Sequence, residues 1–371
     1  MARLAAALAA LAGCGAARAP PAAPTKVYTF EDYKTAFGKV YPSAKENARR
    51  RETFERRRDA VMKHNADPAQ GYALGMNQFT DLSDAERAAR LGRDEYPAAA
   101  ARAAFGAVYH VSLERPVPAA FDWREASPAV ITAVKNQGAC GSCWAFASTE
   151  VLESHVALDT GVLIELSPQH LVSCAQNAYD CGGTGGCQGS VPELAFEYVQ
   201  THGLAAENDF PYTSGASAST GACNASVPAA AHVDGYRKVA ANDADAVLDA
   251  LVHAGPLAVN VDASSWHDYS KGIFDGCNFN GTGVDVDHVV QLVGYGSEDG
   301  VDYFTIRNSW GPEWGEAGYM RLSRHAVCAD DASPRDGTGC AGGAAVQRVC
   351  GECGLLFDAS YPLGARLART P

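Results

Sequence analysis

The chain of 371 residues has only four methionines and, after its first residues, no long hydrophobic run. Beyond an Ala/Leu stretch that ends near Gly13, no apolar segment approaches the ~18 residues that a membrane-spanning helix needs. Basic residues are also in deficit, with 30 Lys and Arg against 43 Asp and Glu, which gives a net charge of −13. We therefore expect a soluble mature protein that binds neither membrane nor nucleic acid.

The amino terminus and the cysteine content both indicate the secretory pathway. Met1-Ala-Arg followed by apolar residues is typical of a signal peptide, which we place at residues 1–19. Leu11-Ala-Gly-Cys14 also resembles a bacterial lipoprotein cleavage site, and that alternative stays open. Twelve cysteines favour an oxidising compartment. We expect a monomer that is secreted or delivered to a lysosome or vacuole.

One cysteine has the position of a nucleophile. Residues 136–146 read NQGACGSCWAF, which places Cys143 between a small entry turn, Gly141-Ser142, and the first turn of a predicted helix. Apolar residues at helical spacing, with no Pro or Gly before Gly161, indicate that helix. A helix N-terminus stabilises negative charge and therefore favours a thiolate. The alternative is that Cys143 is one more half of a disulfide.

A cysteine nucleophile needs a base and a group that orients the base. Two apolar runs read as strands, one beginning at His288 and the other ending at Asn308, and the segment YGSEDGV between them indicates a hairpin. Antiparallel pairing about that turn would place His288 beside Asn308, whose amide oxygen would fix the imidazole tautomer. Trp310 could shield that hydrogen bond from water. The alternative is a histidine and an asparagine at ordinary strand ends.

Gln137 is the fourth candidate for the chemistry, because it lies just ahead of Cys143. Acyl transfer produces an oxyanion, and one hydrogen-bond donor aimed at that oxyanion contributes roughly 2.7–4 kcal/mol. The side-chain amide of Gln137 and the backbone N–H of Cys143 would together form such an oxyanion hole. A solvated loop glutamine is the alternative.

These residues and their surroundings resemble a papain-family cysteine peptidase of the cathepsin L type. The resemblance implies an α+β, two-lobed fold with a helical N-terminal lobe, a β-rich C-terminal lobe, an active-site cleft between them and a helical propeptide in front. It implies polypeptide substrates, no metal and no cofactor. It assigns the roles of nucleophile, base, orienting group and oxyanion donor to Cys143, His288, Asn308 and Gln137. The matching segments are NQGACGSCWAF, GCQGS (186–190), GPLAVNVDA (255–263), YSKGIF (269–274), VDHVVQLVGYG (286–296), IRNSWGPEWGEAGY (306–319) and CGLLFDASYP (353–362).

Residues 26–95 resemble the inhibitory propeptide of the same family, so the chain would carry its own intramolecular inhibitor. They are dense in charge and helical in pattern, and an ordinary helical domain is the alternative. Arg57 replaces the family's asparagine and could form a salt bridge or be exposed. We interpret residues 96–118 as a connector with the processing region and residues 119–371 as the peptidase domain. The spaced motif residues are Glu46, Arg50, Phe54, Arg57, Val61 and Asn65, followed by Gly75, Asn77, Phe79 and Asp81.

Disulfides can be assigned only through the resemblance, because this many cysteines allow many connectivities. Additional cysteines cluster in or beside an insertion between Leu322 and Gly351 that simpler family members lack. A zinc site is one interpretation of that cluster, and extra disulfides in a surface loop are the other. The implied pairs are Cys140–Cys187, Cys174–Cys223 and Cys277–Cys353, and the additional cysteines are Cys181, Cys328, Cys340 and Cys350.

Two N-x-S/T sequons lie in segments rich in small residues, at Asn224 and Asn280. Both are candidate glycosylation sites in a eukaryotic host.

The resemblance also places Asp358 at the floor of the second specificity subsite. A carboxylate in a partly dry pocket pairs with a guanidinium, so we expect Arg two residues before the scissile bond to be used about as well as Leu. That use of Arg should be lost at low pH as Asp358 protonates. The alternative is that Asp358 turns to solvent. The other residues assigned to substrate binding are Val191, Pro192, Asn260, Val286, Val289, Trp310 and Gly189.

Three functions remain open from the sequence. The first is a secreted or lysosomal cysteine endopeptidase made as a zymogen, and the second is an inactive relative that binds or inhibits, which the intact catalytic positions disfavour. The third is an exopeptidase, which needs an element that blocks one end of the cleft. We also expect faster maturation at acidic pH, because propeptide carboxylates, Asp81 among them, lose charge towards pH ~4.

Overall fold

A computed structural model describes residues 28–91, 108–110, 115–277 and 283–368. The expected signal peptide, Cys14 and the sequon at Asn280 therefore lie outside the described residues. None of the helices within these ranges combines the length and the hydrophobicity that a membrane crossing requires.

Helices dominate the first part of the described chain. Three of them lie in residues 28–91, which we call the prodomain, and most of the others precede Ala231. The helices are α1 (Phe30–Ala36), α2 (Ala44–Asn65), α3 (Asp84–Ala88), α4 (Cys143–Thr160), α5 (Pro168–Cys174), α6 (Pro192–His202), α7 (Ser214–Ser217) and α8 (Ala244–His253).

Strands dominate the second part. One long sheet has the order β1-β7-β10-β9-β8-β6-β13-β5-β2, with β3 paired to β8, and two small sheets pair β11 with β12 and β14 with β4. The strands are β1 (Tyr72–Leu74), β2 (Val108–His110), β3 (Phe121–Asp122), β4 (Ala231–His232), β5 (Gly235–Val239), β6 (Leu257–Val261), β7 (Tyr269–Phe274), β8 (His288–Glu298), β9 (Val301–Arg307), β10 (Tyr319–Ser323), β11 (Cys328–Asp331), β12 (Gln347–Cys350), β13 (Ala359–Leu363) and β14 (Arg366–Leu367).

Helix α4 joins the helical part to the sheet. It packs against α5 and α6 and also against β6, β8 and β13. The Gln291 side-chain amide donates to the Glu150 carbonyl oxygen (3.0 Å) and to Ser154 Oγ (2.9 Å), and the buried Arg307 guanidinium pairs with the Glu150 carboxylate at 3.3 Å. Buried polar groups need such partners to offset their desolvation. The two-lobed α+β fold predicted from the sequence is confirmed.

The prodomain has an aromatic core of its own. Phe30, Tyr33 and Phe54 are buried together, with the rings of Tyr33 and Phe54 4.8 Å apart. Phe54 and Val61 lie seven residues apart on α2 and are its buried residues, as expected for one face of a helix. The spacing of the motif therefore corresponds to a packed helix face.

Asp81 is the polar centre of the prodomain. Its buried carboxylate accepts hydrogen bonds from the hydroxyl groups of Tyr33 (2.6 Å) and Tyr41 (2.8 Å) and from Lys39 Nζ (2.9 Å). Because charge-assisted hydrogen bonds are the strong ones, this carboxylate holds α1, the loop after it and the turn before α3 together.

Arginines of α2 hold the turn that leads to α3. The Arg50 guanidinium forms a bidentate pair with the Glu86 carboxylate, with distances of 2.8 and 2.5 Å. Arg57 donates to the Leu82 carbonyl oxygen at 2.9 Å and pairs with Asp84 at 2.6 Å. Of the two alternatives for Arg57, the structure therefore has the salt bridge.

The disulfides comprise the three pairings that the resemblance implied and two more. Cys328–Cys350 joins the strands β11 and β12 of the insertion, and Cys181–Cys340 ties the insertion to the loop before α6. Zinc coordination needs thiolates, so the extra disulfides leave no cysteine ligands for the zinc interpretation. The three implied bonds are Cys140–Cys187, Cys174–Cys223 and Cys277–Cys353.

Replacing Asp81 by asparagine should open the prodomain more easily, because each charge-assisted hydrogen bond to this carboxylate contributes roughly 1.5–3 kcal/mol. In a Cys143→Ser precursor, we expect amide hydrogen exchange at Tyr33 and Phe54 to accelerate at least about tenfold, which corresponds to about 1.4 kcal/mol. Asp59→Asn is the matched control, because the Asp59 side chain is 66% exposed. Equal exchange rates in the two variants would show that Asp81 does not hold the prodomain together.

Candidate active site

The predicted nucleophile lies at the first residue of α4. Cys143 follows the N-cap Ser142 and is the free cysteine among the described residues, with its thiol buried. The helix ends at Gly161, whose φ of 75° is the left-handed conformation that favours glycine as a helix stop. Both ends of α4 therefore follow the sequence prediction.

The hairpin of β8 and β9 brings the predicted base and its orienting group together. The strands pair antiparallel, and His288 Nε2 donates to Asn308 Oδ1 at 2.9 Å. This bond leaves Nδ1, which is buried and has no hydrogen-bond partner, as the nitrogen free to take a proton. The indole of Trp310 lies 5.0 Å from the imidazole and is buried, so it covers the pair as predicted from its position.

Burial decides the protonation of both groups in the precursor. It raises the pKa of the Cys143 thiol to about 12, while hydrogen bonds from the backbone of Val289 and Trp144 act in the opposite direction. Burial likewise lowers the pKa of His288 to about 4, although its bond to Asn308 acts to raise it. Burial therefore favours the neutral thiol and the neutral imidazole in the precursor. In this form of the chain, burial opposes the thiolate that the helix N-terminus favours.

Gln137 points its amide at a peptide carbonyl of the prodomain. Gln137 Nε2 donates to the Arg90 carbonyl oxygen at 2.8 Å and to the Cys140 carbonyl oxygen at 3.0 Å. Ser309 Oγ donates to Gln137 Oε1 at 2.7 Å and so fixes which way the amide faces. A donor held in this way is prepared to bind a carbonyl oxygen beside Cys143.

The prodomain covers the cleft on the side of Trp310. The Phe79 ring lies edge-on to the rings of His267 (5.7 Å) and Trp310 (5.4 Å). The backbone carbonyls of these two residues accept hydrogen bonds from prodomain amides, the His267 oxygen from Asn77 Nδ2 at 2.6 Å and the Trp310 oxygen from Gln78 Nε2 at 2.8 Å. A segment of the same chain therefore covers the candidate catalytic residues.

An ion pair and a strand pairing extend this contact. The Arg87 guanidinium binds Asp268 through two hydrogen bonds of 2.7 and 2.8 Å. Strand β1 pairs antiparallel with β7, so the prodomain also adds a strand to the sheet.

Comparison with known proteins agrees with this arrangement. Residues 117–344 match the domain described as papain family cysteine protease. The chain belongs to the papain family. Residues 30–86 match the domain described as cathepsin propeptide inhibitor domain (I29).

Relatives in this family come from plants and animals. The chain is 37% identical to Cysteine protease 1 of Oryza sativa subsp. japonica over 86% of this chain and 59% of that protein. It is 34% identical to Cathepsin S of Bos taurus over 82% of this chain and 89% of that protein. The matches to the two rice proteins, Cysteine protease 1 and Oryzain beta chain, span 59% and 58% of their lengths.

Solved precursors of the papain family have the same fold. Digestive procathepsin L 3 of Tenebrio molitor larval midgut superposes with a TM-score of 0.71 at 32% identity, covering 90% of this chain and 97% of that one. The recombinant stem bromelain precursor gives a TM-score of 0.70 at 31% identity with the same coverage.

The residues assigned to the second subsite lie together but are already in contact with protein groups. The Asp358 carboxylate is buried and does not face solvent, and its Oδ1 lies 2.7 Å from Lys238 Nζ. Asn260 Nδ2 donates to Asp358 Oδ2 at 3.3 Å, and Val289 pairs with Asn260 across neighbouring strands. Sequence reasoning missed Lys238, which lies in a strand that no motif marked. Asp358 is therefore not the unpaired carboxylate expected from the sequence.

The walls of that subsite contact the insertion, residues 323–351. Val191 packs with Cys340 and Cys181, and Val286 packs with the apolar residues of β11 and β12. A Cβ added to Gly337 would lie 1.8 Å from the Val286 carbonyl oxygen, so the backbones touch. The insertion therefore reaches residues assigned to the second subsite, which the sequence alone could not establish. Of the remaining assigned residues, Pro192 begins α6 and Gly189 has a φ of 83° in the preceding loop.

Of the two sequons, Asn224 lies in an exposed loop. Its Oδ1 accepts a hydrogen bond from the backbone N–H of Ser226, the serine of the same sequon, at 3.2 Å. An accessible asparagine in a turn is compatible with glycosylation, which stays a prediction.

The carboxylates expected to control acid activation are held ionised in the precursor. Hydrogen bonds from Tyr33 and Lys39 lower the pKa of Asp81 against the opposing effect of burial. The Arg50 pair and the Ser83 cap lower the pKa of Glu86 to about 2, again against burial. Such groups lose their stabilising charge only as the pH falls through these lowered pKa values. Their protonation therefore does not account for activation above pH ~4.

His267 is better placed to respond to mild acid. Its ring stacks on Trp310 at 4.8 Å under Phe79, and burial holds its pKa well below the usual range, with the charge of Arg87 acting in the same direction. Release of the prodomain would remove Phe79 and Arg87 and therefore raise this pKa. A histidine that is neutral when covered and protonated when uncovered weakens the closed form as the pH falls below ~6.5.

We predict that His267→Gln reduces the acid acceleration of prodomain removal. Mature wild-type protein would be added to Cys143→Ser precursors, and cleavage rates compared between pH 7 and pH 5. Each unit of pKa difference in His267 is worth about tenfold, so we expect the acceleration to fall by about that factor in the variant. His325→Gln, at an exposed histidine, is the control. The same acceleration in both variants would contradict the role of His267.

Proposed function

We propose that the chain is the zymogen of a cysteine endopeptidase of the secretory pathway, secreted or lysosomal, that acts on polypeptides as a monomer. The observation that carries the proposal is the free thiol of Cys143 at a helix N-terminus with the His288–Asn308 pair and the Gln137 amide around it. The proposed parts are a signal peptide at 1–19, the inhibitory propeptide at 26–95, a processed connector at 96–118 and the peptidase domain at 119–371.

In the proposed reaction, His288 takes the Cys143 proton and the sulfur attacks the peptide carbonyl carbon. The oxyanion that forms is held by Gln137 Nε2 and the Cys143 backbone N–H. The C–N bond then breaks, His288 gives its proton to the leaving amine, and a thioester remains on Cys143. Water, deprotonated by His288, hydrolyses the thioester and restores the thiol. Asn308 keeps the imidazole oriented throughout.

The propeptide is proposed to act as the inhibitor by occupying the cleft. Support comes from the Arg90 carbonyl oxygen on Gln137 and from the carbonyl oxygen of Leu91, which lies within 3.1 Å of a Cβ added to Gly141. A peptide carbonyl therefore lies at the position where a substrate carbonyl would have to bind. Covering the thiol in this way also keeps it un-ionised.

The test of this proposal is a thiol reagent on the mature protein. Iodoacetamide should label Cys143 alone among the cysteines, because the other described ones are in disulfides, and it should abolish peptidase activity. A Cys143→Ser precursor should stay uncleaved if maturation is autocatalytic, and the wild-type precursor before processing is the control for labelling. Peptidase activity in the Cys143→Ser variant would contradict the proposal.

An exopeptidase is the second candidate, because the insertion joins the two rims of the cleft. On one rim it is tied by the Cys181–Cys340 disulfide and by the Gly182 N–H, which donates to the Gly339 carbonyl oxygen at 3.0 Å. On the other rim Gly337 touches Val286, which lies two residues before His288. A link of this kind could limit how far a substrate extends on that side.

Comparing a blocked internal peptide with a free-ended peptide separates the two functions. We expect the mature protein to hydrolyse the blocked peptide, because the proposed endopeptidase needs no chain terminus in its cleft. Cleavage of the free-ended peptide alone would favour the exopeptidase. The companion variant is Cys181→Ser/Cys340→Ser, which removes the disulfide of the link. In an endopeptidase, this variant should hydrolyse the blocked peptide at an unchanged rate.

A further inference from the structure

A line of backbone contacts and polar side chains leads from Cys143 into the sheet. The backbone of Val289 hydrogen-bonds to Cys143, and Val289 pairs with Asn260 on the next strand. The Asn260 backbone N–H donates to the Asp358 carbonyl oxygen at 2.9 Å, and its side chain donates to the Asp358 carboxylate. Lys238 follows on β5, the strand beyond β13. The carboxylate of Asp358 is therefore reached from the active site across adjacent strands.

Lys238 is shared between two buried carboxylates. Its ammonium lies 2.7 Å from Asp358 Oδ1 and 2.5 Å from Glu193 Oε1, and Glu193 comes from α6 in the helical lobe. The side chains of Glu193 and Asp358 are only 2% and 6% exposed, whereas that of Lys238 is 20% exposed. Buried charges persist only with a partner of opposite sign, so these carboxylates depend on one cation.

We propose that Lys238 sets the selectivity of the second subsite by occupying the place on Asp358 that a substrate guanidinium would take. The proposal rests on the proposed peptidase function and on Asp358 being the floor of that subsite. With the ammonium present, a substrate arginine has to displace Lys238 from both carboxylates, while a leucine side chain disturbs neither. The wild-type enzyme therefore prefers Leu to Arg at this position. An unpaired Asp358 would instead have allowed both residues to be used about equally well.

Removing the lysine should reverse this preference. A Lys238→Met variant keeps an unbranched side chain of similar length and leaves Asp358 without its internal cation, so a substrate guanidinium becomes its natural partner. We expect the Arg-to-Leu ratio of kcat/KM to rise by about tenfold or more, the effect of one charge-assisted hydrogen bond. Because the ratio is taken within each variant, a general loss of activity cancels.

The experiment measures that ratio with blocked substrates that differ only in the second residue before the scissile bond. The wild-type ratio should be well below one, the ratio should rise in Lys238→Met, and it should fall back in Lys238→Met/Asp358→Ala. Lys238→Arg, which keeps the cation, should retain the wild-type preference. A structural link between the lobes would change stability in these variants without moving the ratio.

Two results would overturn the proposal, and a third would overturn only the proposed peptidase function. A wild-type enzyme that uses Arg as well as Leu would overturn it, and so would a Lys238→Met variant with an unchanged ratio. Without Lys238, both Glu193 and Asp358 lose their cation, and the Lys238→Met variant could fail to fold for that reason. The double variant Glu193→Gln/Lys238→Met then takes its place, and the same rise in the Arg-to-Leu ratio is expected. If the wild-type protein cleaves neither substrate, the proposed peptidase function fails instead.

Discussion

The burial of the Cys143 thiol and of the His288 imidazole is the constraint on which the rest of the precursor depends. The same groups that would perform acyl transfer are kept un-ionised by the chain that covers them, with the pKa of the thiol raised to about 12 and that of the imidazole lowered to about 4. A helix N-terminus contributes only about 0.3–1 kcal/mol to an anion. One pKa unit already corresponds to about 1.4 kcal/mol, so desolvation determines the protonation state here.

Latency therefore has two layers that rest on different interactions. Inside the prodomain, the Asp81 carboxylate and the Arg50–Glu86 pair keep their charges in mild acid. Their hydrogen bonds therefore keep the prodomain folded. At the contact with the cleft, an uncharged histidine lies under Phe79 and next to the Arg87–Asp268 pair. We expect mild acid to weaken the contact with the cleft while the prodomain stays folded, because the pKa of Asp81 is lowered in the folded prodomain.

The sequence was sufficient where chemistry and local pattern coincide. The α4 start at Cys143 follows from a small-residue turn and an uninterrupted apolar pattern, and the β8–β9 hairpin follows from a glycine-rich turn between two apolar runs. That hairpin places His288 against Asn308 without any information beyond the local segment. The propeptide and the implied disulfide pairs came from the resemblance to the family.

What the sequence could not supply are partners far apart along the chain. Lys238 looks like an exposed residue of a short strand, and only the order of β8, β6, β13 and β5 places it against Asp358. Cys181 and Cys340 are likewise joined only by the fold, which is why the insertion could not be assigned to the cleft beforehand. In the same way, the local position of Cys143 favours a thiolate but carries no information about the burial that raises the pKa of the thiol.

The most direct test of the account compares the ionisation of Cys143 before and after prodomain removal. The measurement is the ultraviolet absorbance of the thiolate, taken as the difference between the wild-type chain and its Cys143→Ser variant across pH, for precursor and mature protein. No thiolate signal is expected in the precursor at neutral pH, whereas the mature protein should show a clear signal that persists into mild acid. The same thiolate signal in both forms at neutral pH would contradict it.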